Sequence, residues 1–245
     1  MPLVTKITCC PIVELRQYTL HPGKRDVLID LFDREFVEPQ EALGMRIIGQ
    51  FRDENERFVW LRGFRDMPSR AQQLTDFYGG PIWKAHRETA NTTMIDSDNV
   101  LLLRPATSGS GFSLADRKRS GVGASETRND LIVATIFYFE APVDATFVEF
   151  FEGTLKPVLA NSGASVLAYF VTEHSENTFP ALPVREGENV FVWFARFPDS
   201  AANERHVAEL EKSPRWRDDI SKELARRLKR APEILKLSPT SRSLL

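Results

Sequence analysis

The tripeptide Phe58-Val59-Trp60 occurs again as Phe191-Val192-Trp193, 133 residues later. At the same spacing Phe64 meets Phe197, Asp66 meets Asp199, Pro81 meets Pro214 and Trp83 meets Trp216. Seven identities in a window of about 26 residues exceed the roughly two that chance supplies. Two of them are tryptophans, of which the chain has only 4. A chain that repeats itself on this scale builds one supersecondary unit twice. Upstream the spacing is shorter: Tyr18 and Pro22 match Tyr138 and Pro142 at 120, while Phe32 and Pro39 match Phe150 and Pro157 at 118. The step from 118 to 133 places an insertion of about 15 residues in the second copy. It falls at 173–188, where the first copy has only Asp53-Glu54-Asn55-Glu56. An insertion of that size fits an exposed hairpin loop, open to three readings: a lid, a protein contact or an idle excursion.

Composition narrows the classes available to such a repeat. With 32 Lys and Arg against 34 Asp and Glu, the net charge is −2, so there is no electrostatic footprint for nucleic acid or an anionic membrane. No apolar run approaches the roughly 20 residues that span a bilayer. The first eleven residues carry one Lys and no long apolar core, so no secretory leader is expected. A cytoplasmic location follows as the expectation. Cys9 and Cys10 are neighbours, a spacing that strains a disulfide, and two thiols alone cannot complete a structural zinc site. Two free thiols are expected. The 4 histidines are scattered, with no His-x-x-x-His pair, and there is no Gly-rich phosphate loop or Gly-x-Ser-x-Gly. No metal is therefore expected.

Each copy has the order strand, helix, strand, strand, helix, strand. In the first copy the strands are read at 12–20, 46–51, 57–64 and 100–104, with helical spacing at 24–41 and at 69–93, the latter broken at Gly79-Gly80-Pro81. In the second the strands are 131–140, 165–172, 189–197 and 234–237, and the helices 146–161 and 201–230, broken at Ser213-Pro214. The pattern gives domains at 1–105 and 130–245, joined by a flexible Gly- and Ser-rich linker at 106–129 whose Arg117-Lys118-Arg119 is expected to be solvated. A βαββαβ unit is ferredoxin-like, a four-stranded sheet with both helices on one face. Phe58, Trp60 and Phe64 point one way along their strand, and Val59 and Leu61 the other. Phe191, Trp193 and Phe197 likewise oppose Val192 and Phe194. Strands apolar on both faces are buried on both. The fold class is therefore α+β: two tandem ferredoxin-like units packing sheet to sheet.

The run from Glu14 to Lys24, Phe58-Val59-Trp60-Leu61, Asp76-Phe77-Tyr78 and the stretch from Pro81 to Arg87 resemble the NIPSNAP family of the dimeric α/β-barrel superfamily. The resemblance covers nearly all of 12–105 and fades in the second copy. It implies an intramolecular dimeric α/β barrel. The family's activity is not established; its proposed roles lie in vesicle or mitochondrial biology, and superfamily relatives include cofactor-free monooxygenases and haem enzymes.

The two copies agree in Phe, Val, Trp, Pro and Tyr, which are packing residues. They differ at Glu14, Arg16 and His86, where the second copy is read as having Ala134, Ile136 and Asp219. Alternation puts Glu14, Arg16 and Tyr18 on one strand face, and His86 lies one helical turn beyond Trp83. The expected function is binding of a small apolar or aromatic molecule in a pocket of the N-terminal half, lined by Glu14, Tyr18, Trp60 and Trp83. Cofactor-independent monooxygenation would use His86 as base and Arg16 to hold the oxyanion. The alternatives are a non-catalytic interaction protein and a haem protein with His86 as axial ligand. No other cofactor is expected. A higher homo-oligomer is an open expectation for partners.

Overall fold

The computed structural model describes residues 9–126 and 128–245. Most of the stretch read above for a leader lies outside the described residues. The first copy contributes β1 (Ile12–Leu20), β2 (Arg46–Asp53), β3 (Phe58–Phe64), the short β4 (Met94–Asp96) and β5 (Val100–Pro105). The second contributes β6 (Leu131–Phe139), β7 (Ser165–Thr172), β8 (Asn189–Phe197) and β9 (Glu233–Pro239). β4 is an addition to the expected order, a three-residue strand on the end of β1.

The two sheets do more than face each other. β2 pairs with β9 and β5 pairs with β7, so the strand order β3-β2-β9-β6-β8-β7-β5-β1 closes on itself through β1 and β3. A four-stranded sheet has two edges of unpaired backbone groups, and mutual edge pairing satisfies both sets. The result is an intramolecular eight-stranded α/β barrel with helices outside. Alternation along each strand divides three cores. Val59, Leu61, Val192 and Phe194 fill the bore together with Val13, Leu15, Phe51 and Phe170. Phe58, Trp60 and Phe64 meet the helices of the first copy, and Phe191, Trp193 and Phe197 those of the second.

Strand register corrects the alignment of the copies. Ile12 sits opposite Phe64 and Leu131 opposite Phe197. Each first helix has a π turn inside it, Phe32–Phe36 and Phe151–Leu155, and the first hairpin strands begin at Arg46 and Ser165. All these pairs stand 119 apart, so the single insertion is 14 residues and the matches at 118 and 120 are each one residue out of register. The counterparts of Glu14, Arg16 and Tyr18 are thus Val133, Thr135 and Phe137, not Ala134, Ile136 and Tyr138. Asp66 and Asp199, matched in the repeat, are both helix N-caps, accepting from the backbone N–H of Ser69 and Ala202 at 2.7 Å.

Two connections differ from expectation. The segment 106–129 is pinned: Phe112 and Leu114 are buried in the bore, the Tyr169 N–H donates to the Ser110 carbonyl, and the Ser110 hydroxyl donates to the Tyr169 carbonyl. Arg117 and Lys118 are exposed, but Arg119 donates to Glu41 and to the carbonyls of Ile47 and Arg242. Polar, Gly-rich composition concealed two apolar anchors among the serines. Cys9 and Cys10 are joined to each other as a disulfide rather than standing free. The Cys10 side chain occupies the space where a Cβ on Gly63 would lie, 2.3 Å from its sulfur, so that strand position admits only glycine.

Candidate functional site

β1 and β3 are adjacent and antiparallel, which sets Glu14 opposite Arg62 and Arg16 opposite Trp60 on the face toward the helices. Glu14, Arg16 and Arg62 are completely buried, and so is Arg70 on the helix Met67–Gly79. One carboxylate serves three guanidiniums. Oε2 of Glu14 accepts from Arg16 Nη1 at 3.0 Å and from Arg62 Nε and Nη2 at 3.0 and 2.7 Å. Oε1 accepts from Arg70 Nε at 2.8 Å. Arg62 also donates to Gln40 Oε1 at 2.8 Å, and Arg16 Nε donates to the Tyr18 hydroxyl at 2.8 Å.

Burial pushes the Glu14 carboxyl up, but Arg62, Arg16 and Arg70 outweigh it and hold the group far below the ordinary range. Glu14 is therefore ionised, and the cluster carries three positive charges against one negative. Burial pushes the Tyr18 phenol up, and the Arg16 guanidinium only partly offsets this, so Tyr18 is protonated at neutral pH. Its hydroxyl hydrogen finds no acceptor among the described residues. Nη2 of Arg16 is also without a partner; that guanidinium lies 5.4 Å from the ring centre of Tyr18 and 5.6 Å from that of Trp60.

Beside this cluster lies a cavity of about 350 Å³ between the sheet and helices of the first copy. Its floor is Tyr18 and Trp60, and its sides are Phe32, Phe36, Phe77, Tyr78 and Trp83. Phe32 and Phe36 bound the π turn, which fixes both rings on the inner side of the helix. Trp83 packs on Tyr78, Phe36 and Phe77 with ring centres 4.8, 5.6 and 6.1 Å apart. The roof belongs to the other copy: Phe179 and Leu182, from the loop inserted in the second unit, close over the cavity. Phe179 stacks on Tyr78 at 5.8 Å. The loop is tied to the charge cluster through Arg70 Nη1, which donates to Asn177 Oδ1 at 2.9 Å and Thr178 Oγ1 at 3.2 Å.

Of the residues expected at a site, the structure brings Tyr18, Trp60 and Trp83 to the cavity wall, with Glu14 and Arg16 in the buried cluster behind it. His86 is elsewhere: it is about one-third exposed, its Nε2 lies 3.5 Å from Glu35 Oε2, and it is not part of the lining. No histidine lines the cavity, so the residues present do not fit a histidine-ligated haem there. Among the described residues no cluster of three metal-ligating side chains occurs, and no helix is long and apolar enough to cross a membrane. Sequence reasoning missed Arg62 and Arg70, and it left the inserted loop open between a lid, a protein contact and an idle excursion. Arg62 had a readable signal, a charge on the same strand face as Trp60 in an otherwise apolar strand. Arg70 and the roof had none, because their partners are 56 and 107 residues away.

The NIPSNAP family profile matches residues 13–108. The fold is similar along its whole length to a protein named "Putative monooxygenase (FN1347)" from Fusobacterium nucleatum: 11% identity, 96% of this chain and 94% of that one, TM-score 0.53. It is also similar to a dye-decolorizing peroxidase from Bacteroides thetaiotaomicron, with 7% identity over 98% of this chain and 96% of that one, TM-score 0.55. An uncharacterized NIPSNAP-like domain protein from Burkholderia xenovorans is 26% identical over 39% of this chain and 85% of its own, TM-score 0.37. No curated protein matches. At such low identity the two whole-length likenesses establish the fold alone, an α/β barrel, and residues 13–108 are the part of the chain that matches the NIPSNAP profile.

Proposed function

We propose that the chain binds a small, mainly aromatic or apolar molecule in the cavity of its N-terminal half, with the C-terminal half completing the barrel and supplying the roof. The observation that carries this is the contrast between the halves. Val133, Thr135, Phe137, Ala195 and Asn203 stand in the second copy where Glu14, Arg16, Tyr18, Arg62 and Arg70 stand in the first. Among the described residues, no Asp, Glu, Lys or Arg in the strands and helices of that half is buried, and Phe147, Phe151, Phe191 and Trp193 pack the space between sheet and helices. Burying a charge costs several kcal/mol even after partial compensation. A cluster the fold does without in one half serves something other than the fold in the other. An aromatic-lined cavity with a few convergent polar groups is the usual form of a small-molecule site.

Binding rather than oxygenation is the function this geometry supports. Proton abstraction needs a base within hydrogen-bonding reach of the ligand, and His86 faces Glu35 instead of the cavity. The test is titration of the purified chain with bicyclic aromatics, neutral and ionised, followed by the fluorescence of Trp60 and Trp83. A saturable change is expected, and it should vanish in Ala90→Phe, which places a ring in the cavity. No saturable response to any bicyclic aromatic would remove the proposal.

A further inference from the structure

The charge count of the site goes further than its shape. Arg16, Arg62 and Arg70 face one carboxylate, all completely buried, and the ions among them sum to two uncompensated positive charges. The other polar partners of the cluster, Gln40, Asn177, Thr178 and Tyr18, are neutral. Glu14 has no capacity left, since both its oxygens already accept from guanidiniums. In the cluster Nη2 of Arg16 and Nη2 of Arg70 make no hydrogen bond, the latter lying against Glu14 Oε1 at 2.7 Å, and the hydroxyl hydrogen of Tyr18, itself a cavity-lining group, has no acceptor among the described residues. The indole N–H of Trp60 is unpartnered too, but so is that of Trp193, its counterpart in the half with no charge cluster, so it does not discriminate. Arg16 and Tyr18 do discriminate, because Thr135 and Phe137 replace them.

Resting on the pocket proposed above, we infer that its ligand is an organic anion: an aromatic or apolar body carrying one carboxylate, phenolate or enolate oxygen, received by the Tyr18 hydroxyl at the wall, with the Arg16 guanidinium behind it as the nearest positive charge. An uncharged ligand would leave both donors and the positive excess uncompensated in a medium where each is costly. An anion satisfies the donors and reduces the excess in one step. The phenol hydroxyl held by Arg16 Nε is the natural contact, since that donation leaves its hydrogen directed away from the guanidinium.

The experiment compares 2-naphthoate, ionised at pH 7, with 2-naphthamide, nearly the same in shape but neutral, by calorimetry and tryptophan fluorescence on the full chain. Naphthoate is expected to bind at least tenfold more tightly. Tyr18→Phe removes one oxygen and installs the residue the second half carries; it should lower naphthoate affinity about tenfold and change naphthamide affinity less than threefold. Arg16→Met should abolish the preference, and if that variant does not fold, Tyr18→Phe decides. Equal affinities of the wild type for the two compounds, or a preference undiminished in Tyr18→Phe, would overturn the inference while leaving the pocket intact. Failure of both compounds to bind would instead remove the pocket and the inference with it.

Discussion

Glu14 is the residue on which the most interactions converge, and its removal should show it. Glu14→Gln leaves three buried guanidiniums without a counter-charge, a change of the kind that costs about 3–5 kcal/mol; urea denaturation will measure it. Replacing the set with its counterparts, as Glu14→Val, Arg16→Thr, Arg62→Ala and Arg70→Asn together, should recover much of that loss, because no ion is then left unpaired. The same carboxyl fixes the acid response. Its folded pKa lies below its unfolded value, so it contributes stability above the ordinary carboxylate range and loses it as pH falls through and below that range. Asp33 has the opposite sign. Burial pushes it up to about 6, against the pull of Arg242, Arg119 and Arg52. Its folded form binds the proton more tightly, so it adds stability as pH drops from about 6 toward 4. The melting temperature should therefore rise gently between pH 7 and 5 and fall below 4. Asp33→Asn should flatten the rise and leave the fall, as calorimetry across that range will show.

At the scale of elements, the loop inserted between β7 and β8 is the piece whose position says most. It is tethered at both ends by backbone bonds to the first copy, Glu173 N–H to the Leu102 carbonyl and Arg185 N–H to the Val100 carbonyl, each 2.8 Å. Deleting 176–183 and closing the gap with Gly-Gly keeps those tethers and removes Asn177, Thr178, Phe179 and Leu182. The melting temperature should change by only a few degrees, whereas dissociation of a bound bicyclic aromatic, timed by stopped-flow fluorescence, should speed up at least tenfold. Eight of the nine strands, the helices, the breaks at Gly79-Gly80 and Ser213, and the inward and outward faces were legible in the sequence, because periodicity is written locally and the repeat reads it twice; the three-residue β4 is too short to show a period. That the inserted loop is a roof, rather than a protein contact or an idle excursion, was not decidable there. A loop's partner across the molecule leaves no periodic trace, and Glu- and Pro-rich composition looks the same whether the loop rests on solvent or on Tyr78. Arg119 and Phe112 in the connection between the units were missed for the same reason.

As a whole, the barrel has one bore shared by both halves, so neither half owns a complete core. Unfolding of the full chain should be a single cooperative transition by calorimetry and circular dichroism alike. Residues 9–105 alone would expose the edges of β2 and β5, and the symmetry of the junctions says what would cover them: β2 meets β9 as β7 meets β5. That fragment should assemble as a homodimer in which β2 of each copy pairs with β5 of the other, and light scattering on the purified fragment will show whether it does. The likeness to whole-length barrels of very low identity follows the same logic, since edge pairing and bore filling constrain shape far more than sequence.

The covalent joining of the halves by 106–129 also changes what mutation can reach. In a barrel made from two identical chains every substitution appears twice, so a buried charge cluster or a 14-residue insertion would be imposed on both sides together. Here each half mutates on its own, and Thr135 and Arg16 can occupy equivalent places in one molecule. The fusion thus frees one half to hold the scaffold while the other departs from it.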